Sequence, residues 1–133
     1  MVAKVLVYNN NNQILVLRRS VTHPHFAFHL DLPGGVVEDG ESVEEASSRE
    51  ITEETGLHVD PVLLKVVSEE TIPIGTKHLL LAVTLDQPSP DIQISWEHDK
   101  YMWMSEADIV DSDTPEGMDL FFAFALEYLK GKK

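Results

Sequence analysis

Glu50, Glu53 and Glu54 stand at i, i+3 and i+4 in a segment patterned as a helix. That spacing projects three carboxylates from one side, neighbours across a single turn. They also fall in the last turn before Gly56, where the helix dipole disfavours anions. Like charges at i, i+4 cost roughly 0.2–0.5 kcal/mol, and the wrong end of the dipole adds about 0.3–1 kcal/mol per exposed charge. A local conflict of this kind in a well-capped helix is where a functional site is expected. A hard divalent cation removes it, because Mg²⁺ takes oxygen ligands, with one or two carboxylates beside waters and substrate phosphates. The competing reading is a solvated acidic face, which three glutamates alone do not exclude.

The surroundings add to the first reading. Gly34 and Gly35 permit tight backbone turns, so a main-chain carbonyl can face a metal site. Arg49 precedes the cluster and is expected to pair with a nearby carboxylate, Glu41, fixing its orientation; an ordinary i, i+4 pair with Glu45 is the alternative.

These side chains need elements to hold them. Ser42 followed by Glu45 fits a capping box, with Glu44 and Glu45 in the first turn. Val43, Ala46, Ser47 and Ile51 make the inward stripe, and Gly56 is placed as the left-handed residue of a Schellman end, with Leu57 folding back towards Ile51. Before the helix, Val2–Tyr8 reads as a strand, residues 9–12 as an asparagine turn and residues 13–17 as a second strand ending in Arg18 and Arg19. The pair looks like a hairpin. Residues 21–31 read as a loop leading into a short strand. After the helix come strands at 59–67, 77–85 and 100–104, a helical turn capped by Ser105 and running through Ile109, and an amphipathic helix at 118–129. Strands and helices mix without strict βαβ alternation, which points to an α+β or mixed-sheet layered domain.

Size and composition agree. A chain of 133 residues is the size of one domain, residues 1–133, and its 43% apolar content suits a buried core. Without cysteine, disulfide scaffolds, cysteine-ligated zinc and thiol catalysis are excluded. No apolar stretch approaches the roughly 20 residues of a membrane span and no secretory signal is evident, so a cytoplasmic location is expected. With 23 acids against 10 bases, the net charge is −13. Such a body repels nucleic-acid polymers and anionic membranes. A phosphorylated substrate would need a divalent cation as mediator.

The order Gly35, Glu41, Arg49-Glu50-Ile51, Glu53-Glu54, Gly56-Leu57, entered through Leu32-Pro33-Gly34-Gly35, resembles the Nudix box at every position. The resemblance implies the Nudix fold, a mixed β-sheet sandwiched between α-helices (an α/β/α sandwich). It implies a metal site in which Glu50, Glu53 and Glu54 match the carboxylate ligands and the carbonyl of Gly35 is a further ligand. It implies a Mg²⁺-dependent hydrolase, with Mn²⁺ as a substitute, acting on a nucleoside diphosphate linked to another moiety. Many relatives are dimers, so a homodimer is a possible assembly.

Water attacking a pyrophosphate meets an electrophile already surrounded by negative charge, so catalysis is mainly positioning and charge stabilisation. Metal ions bridge substrate oxygens and lower the pKa of a bound water, and a carboxylate base helps. Candidates for that base are a box glutamate, Glu50 or Glu53, and Glu97. The stretch Trp96-Glu97-His98 through Tyr101 and Trp103 resembles a Glu-His…Tyr…Trp segment of several Nudix branches, which makes Glu97 a further metal ligand or the base. Trp103 reads as core. Arg18 and Arg19 face opposite ways on a strand; Arg18 is taken as the one that reaches a substrate phosphate. Trp96, Tyr101, Phe26 and Phe28 could stack a base, though packing is the ordinary role of each. His23, His25 and His29 could ligate zinc, but a hard-metal site next door argues against it. Residues 111–117 only glance at a calcium loop, since Pro115 takes a ligand position.

Three functions compete: an active pyrophosphohydrolase, a Nudix-fold binding or sensor module that holds a nucleotide uncleaved, and an acidic interaction domain. The three intact glutamates favour the first. Substrate pointers conflict. The Glu97-His98 loop leans towards dinucleoside polyphosphates or nucleoside triphosphates, while Pro73 leans towards ADP-ribose.

Overall fold

The computed structural model describes residues 1–22, 27–71, 75–88, 90–111 and 120–131, and for 120–123 the backbone only. The expectations placed on His23, His25, Phe26, Pro73 and residues 112–119 lie outside these. Among the described residues the chain runs β1 (Val2–Tyr8), β2 (Ile14–Arg19), β3 (Leu30–Asp31), β4 (Gly34–Val36), α1 (Val43–Thr55), β5 (Lys65–Thr71), β6 (Lys77–Thr84), β7 (His98–Met104), α2 (Glu106–Val110) and α3 (Leu120–Lys130).

The strands form one sheet with the path β3-β2-β1-β6-β5, to which β4 is joined through β1 and β7 through β2. β1 and β6 run parallel from Val2↔His78 to Tyr8↔Thr84, while the other pairings are antiparallel. The sheet is therefore mixed, as expected. The hairpin reading needs correction. β1 and β2 pair only at Tyr8 and Ile14, beside the asparagine turn, and then part. Strands that part expose N–H and C=O groups that must find other partners. The segment from Leu30 to Val36 supplies them. β3 pairs with Leu17 and Arg18 of β2, β4 pairs with Val2, Ala3 and Lys4 of β1, and the Val5 N–H donates to the Pro33 carbonyl at 2.8 Å.

Side chains alternate across a strand, and this sheet uses both faces. Ala3, Val5 and Val7, with Leu15, Leu17, Leu79 and Leu81, pack with Ile51 of α1. The intervening Leu6, Ile14, Val16 and Leu80 pack with Ile109 of α2 and Leu126 and Leu129 of α3. Each fully buried Leu, Ile or Val contributes about 1.5–3 kcal/mol, so both helical layers are fastened to the sheet. The α/β/α sandwich is confirmed.

Local chemistry explains the remaining boundaries. The capping box is present: Ser42 Oγ accepts the Glu45 N–H at 3.0 Å, and the Glu45 carboxylate accepts the Ser42 N–H at 3.0 Å. At the other end Gly56, with φ 77°, donates its N–H to the Thr52 carbonyl. The Leu57 N–H goes to Thr55 Oγ1 at 3.2 Å, so the helix closes with a single left-handed turn and not the double-bonded Schellman end. Residues 59–67 are not one strand. Asp60 caps a short 3₁₀ turn over Pro61–Leu63, accepting the Val62 N–H at 3.1 Å, and β5 begins only at Lys65. Proline has no N–H to give a ladder, and the local turn wins. β7 starts at His98, two residues earlier than the sequence pattern suggests. No helix among the described residues is long and apolar enough to cross a membrane.

Ser42→Ala removes one half of the capping box. It is expected to cost about 1 kcal/mol, read as a lower urea midpoint with an unchanged slope.

Candidate active site

Successive helical residues turn by about 100°, so Glu50 and Glu54 share a stripe of α1 while Glu53 stands off it. Glu54 points inward, 5% exposed, and its Oε1 accepts the Gly34 N–H at 3.0 Å. Glu50 is half-buried with its carboxylate against Gly35, where an added Cβ would sit 2.8 Å from Glu50 Cδ. A side chain at position 35 would therefore push the Glu50 carboxylate aside. Glu53 is exposed at the rim. The three carboxylates, read from the sequence as projecting together, thus occupy three different environments.

Arg49 ties the acidic side chains together. Its Nε and Nη2 donate to Glu41 Oε2 and Oε1 at 2.8 and 3.0 Å, its Nη1 to Glu50 Oε1 at 3.0 Å and to Glu53 at 3.4 Å. The pairing with Glu41 is the one expected, and it holds the Glu41 carboxyl below its usual range and the guanidinium above its own. Glu45 serves the capping box instead.

A cleft of about 390 Å³ brings together Glu50, Glu54 and Glu97 with Lys4 and Arg19, floored by Gly34 and Gly35. Glu97 is held there by a turn fastened to β2: the Ser20 N–H donates to the Glu97 carbonyl at 2.9 Å and Ser20 Oγ to the Trp96 carbonyl at 2.8 Å. Arg18 is not in the cleft. It forms a two-pronged pair with Asp99 at 2.8 and 2.9 Å and covers the ring of Phe28 at 5.4 Å. The reason is alternation: Arg19, not Arg18, shares its side of β2 with Leu15 and Leu17, which face α1 and its glutamates. Trp96, Tyr101 and Phe28 are exposed and do not line the cleft, and Trp103 packs against the first core as expected.

Lys4, Asp31 and His98 form a buried set that the sequence reading did not assign. Asp31 meets Lys4 Nζ at 3.1 Å, Arg19 Nε at 3.3 Å and His98 Nε2 at 3.2 Å. A carboxylate only accepts, which puts the His98 proton on Nε2; His98 Nδ1 then faces Glu54 Oε2 at 4.0 Å. Burial works to raise the Asp31 pKa, but Lys4, His98 and Arg19 outweigh it and hold the carboxyl well below the usual range. For Lys4 burial likewise works against the charge, and Asp31 and Glu54 outweigh it. Glu54 goes the other way. Burial pushes its carboxyl well above the usual range, against the pull of Lys4 and the Gly34 N–H. The available signal for this set was a lysine inside the otherwise apolar Val2–Tyr8 and an aspartate just ahead of Leu32-Pro33-Gly34-Gly35.

Among the described residues no three acidic or imidazole groups form a ready-made metal cage. The donor chemistry nonetheless fits a hard cation: the groups nearest the glycine turn are carboxylate and carbonyl oxygens, and Mg²⁺ needs only one or two carboxylates beside waters and phosphates. The Arg49 guanidinium between Glu41, Glu50 and Glu53 is the cation around which these side chains are now arranged. His29 is half-buried and belongs to no metal-binding group among the described residues.

A folded-state pKa above the ordinary 4.5 means that Glu54 favours folding at low pH, a contribution lost as pH rises through the raised value. Glu54→Gln keeps an acceptor for Gly34 and removes the ionisation. In EDTA at pH 8 it is expected to melt a few degrees higher than the parent, with the gap closing towards pH 4.5. A lower Tm at pH 8 contradicts this account of Glu54.

An 8-oxo-dGTP diphosphatase from Escherichia coli is 41% identical over 56 residues, covering 42% of this chain and 43% of that protein. An ADP-ribose pyrophosphatase from Methanocaldococcus jannaschii is 51% identical over 51 residues, covering 38% of this chain and 29% of that protein. The matched stretches thus span less than half the length of these relatives. A crystal structure of a MutT protein from Methanosarcina mazei superposes with a TM-score of 0.76 at 26% identity, covering 98% of this chain and 92% of that one. The NUDIX domain family model matches residues 1–123. With nearly the whole chain matched, and Glu50 and Glu54 set against the glycine turn, this protein belongs to the NUDIX domain family.

Proposed function

We propose that the protein is a Mg²⁺-dependent hydrolase that cleaves a phosphoric anhydride in a nucleoside diphosphate linked to another moiety. Family membership and relatives named as a diphosphatase and a pyrophosphatase support a hydrolase acting on anhydrides. The observation that carries the reading is one cleft holding carboxylates (Glu50, Glu54, Glu97) together with buried cations (Lys4, Arg19). Carboxylates alone would suit a cation, and cations alone an anion. Together they suit a metal-bound phosphate. A net charge of −13 makes the pairing necessary, since the protein's overall field repels phosphates.

Glu50, Glu54 and the Gly35 carbonyl would hold Mg²⁺ or Mn²⁺, which supplies charge stabilisation on phosphoryl oxygens and a more acidic water. The chain's own residues do the rest. Arg19 binds a substrate phosphate from the side of β2 that faces α1. Arg49 fixes Glu41 and Glu50. The Glu50 carboxylate is already engaged by Arg49 at 3.0 Å, so proton removal from the attacking water falls to Glu97. The water oxygen then bonds to phosphorus as the P–O anhydride bond breaks, and the leaving phosphate departs. The relatives act on different nucleotides, one a nucleoside triphosphate and one a diphosphate sugar; a nucleoside diphosphate with a further substituent is what these substrates share.

A panel of nucleoside triphosphates, dinucleoside polyphosphates and ADP-ribose, assayed with Mg²⁺ or Mn²⁺ and with EDTA, tests this. At least one is expected to be cleaved only with metal, and Glu97→Gln to lower kcat about 10²–10⁴-fold without changing Tm. Nucleotide binding with no cleavage of any member would leave a binding or sensor module.

A second comparison separates the two arginines. Arg19→Lys, which loses the planar fork, is expected to raise KM about tenfold, while Arg18→Ala keeps KM within about twofold. Equal effects would refute the placement of Arg19 on the phosphate.

A further inference from the structure

Asp31 is 3% exposed, and its oxygens are fully engaged. Oδ1 accepts the Leu32 N–H at 2.9 Å and Lys4 Nζ at 3.1 Å; Oδ2 meets Arg19 Nε at 3.3 Å and His98 Nε2 at 3.2 Å. A carboxylate offers about four acceptor sites, and four donors occupy them. Asp31 therefore has no lone pair left for a metal ion or a substrate water. Its place differs in kind from that of Glu50, Glu54 and Glu97 in the same cleft.

A buried ionised carboxylate is costly unless fully paired, and here it stands in a strongly acidic protein close to Glu54. What it holds explains its presence. Its three side-chain donors come from three strands: Lys4 from β1, Arg19 from β2 and His98 from β7. Lys4 and Arg19 line a cleft that is also lined by four glutamates, Glu38, Glu50, Glu54 and Glu97. A guanidinium within reach of those glutamates would be drawn onto them, blocking the phosphate position and consuming a carboxylate. The Asp31 contact on Arg19 Nε opposes that collapse. Lys4, the second cation on Asp31, also donates to the carbonyls of Leu32 at 3.3 Å and Gly34 at 3.4 Å.

We propose that Asp31 is a positioning residue for the substrate's phosphates, acting through Arg19 and not by touching substrate or metal. This rests on the cleft being a phosphoanhydride-hydrolysing site. The test is Asp31→Asn in the full chain, with the panel substrate that the parent cleaves. KM is expected to rise at least tenfold with kcat changed less than threefold. The affinity for Mn²⁺ alone, read by calorimetry without nucleotide, is expected to stay within twofold. In an Arg19→Lys background, Asp31→Asn is expected to add less than twofold to KM, because its route to the substrate is already broken. An unchanged KM, a kcat loss alone, weakened Mn²⁺ binding, or fully additive effects with Arg19→Lys would each overturn the proposal. Should Asp31→Asn not fold, Asp31→Glu keeps the buried charge while displacing it from Arg19 Nε and carries the same KM test. If neither folds, Asp31 serves stability and the positioning role is lost. Parent turnover separates the two levels: no cleavage of any panel member removes the hydrolase reading and this inference with it, whereas parent turnover with an unaltered KM in the variant removes only the inference.

Discussion

Two strands that leave a common turn ordinarily stay paired to their ends. Here β1 and β2 share a single paired position, Tyr8 with Ile14, and then separate. The groups this exposes inside the protein cannot go unpaired, so a third stretch of chain must enter the gap. That stretch is the one carrying Asp31, Gly34 and Gly35, with β3 on one side of the opening and β4 on the other. Lys4 and Arg19 border the same opening, and α1 lies over the face on which it emerges. The site is a consequence of how the sheet satisfies its own hydrogen bonds.

Charge is managed within that frame by division. Arg49 gathers the outer acids, Glu41, Glu50 and Glu53, at the mouth. Asp31 gathers the inner cations, Lys4 and Arg19, at the floor. Glu54 lies between the two sets, its carboxyl forced by burial above the usual range. Each buried charge sits near at least one of opposite sign, the condition under which burial is tolerable. Neither set is neutral by itself, and the difference between them gives the cleft its acidic and basic parts.

Much of this was legible in the residues. The capping box of Ser42 and Glu45 and the end of α1 at Gly56 depend on contacts a few positions apart, so local chemistry suffices to place them. The two-sided burial of the central strands shows in the alternation of 3, 5, 7 against 6, 8. The pairing of Arg49 with Glu41 followed from the motif. What escaped depends on long-range geometry. The choice between Arg18 and Arg19 turns on which face of β2 looks at α1, and residues 14–19 carry no mark of it. The parting of β1 and β2 is decided by residues 30–36, far along the chain. Lys4 and Asp31 are 27 positions apart in numbering and meet only because the gap exists. The break of 59–67 into a turn and a strand was visible in Asp60-Pro61, but β-branched neighbours masked it.

The order in which the chain is made differs from the order in which the sheet can close. β1 occupies the middle of the sheet, yet its full-length neighbour is β6, more than seventy residues downstream and parallel to it. Loop closure over such a span costs entropy before any contact repays it. β1 is therefore among the last strands of this sheet to be flanked on both edges. A cleft that borrows from β1, β2, α1 and β7 together exists only once that long-range pairing has closed.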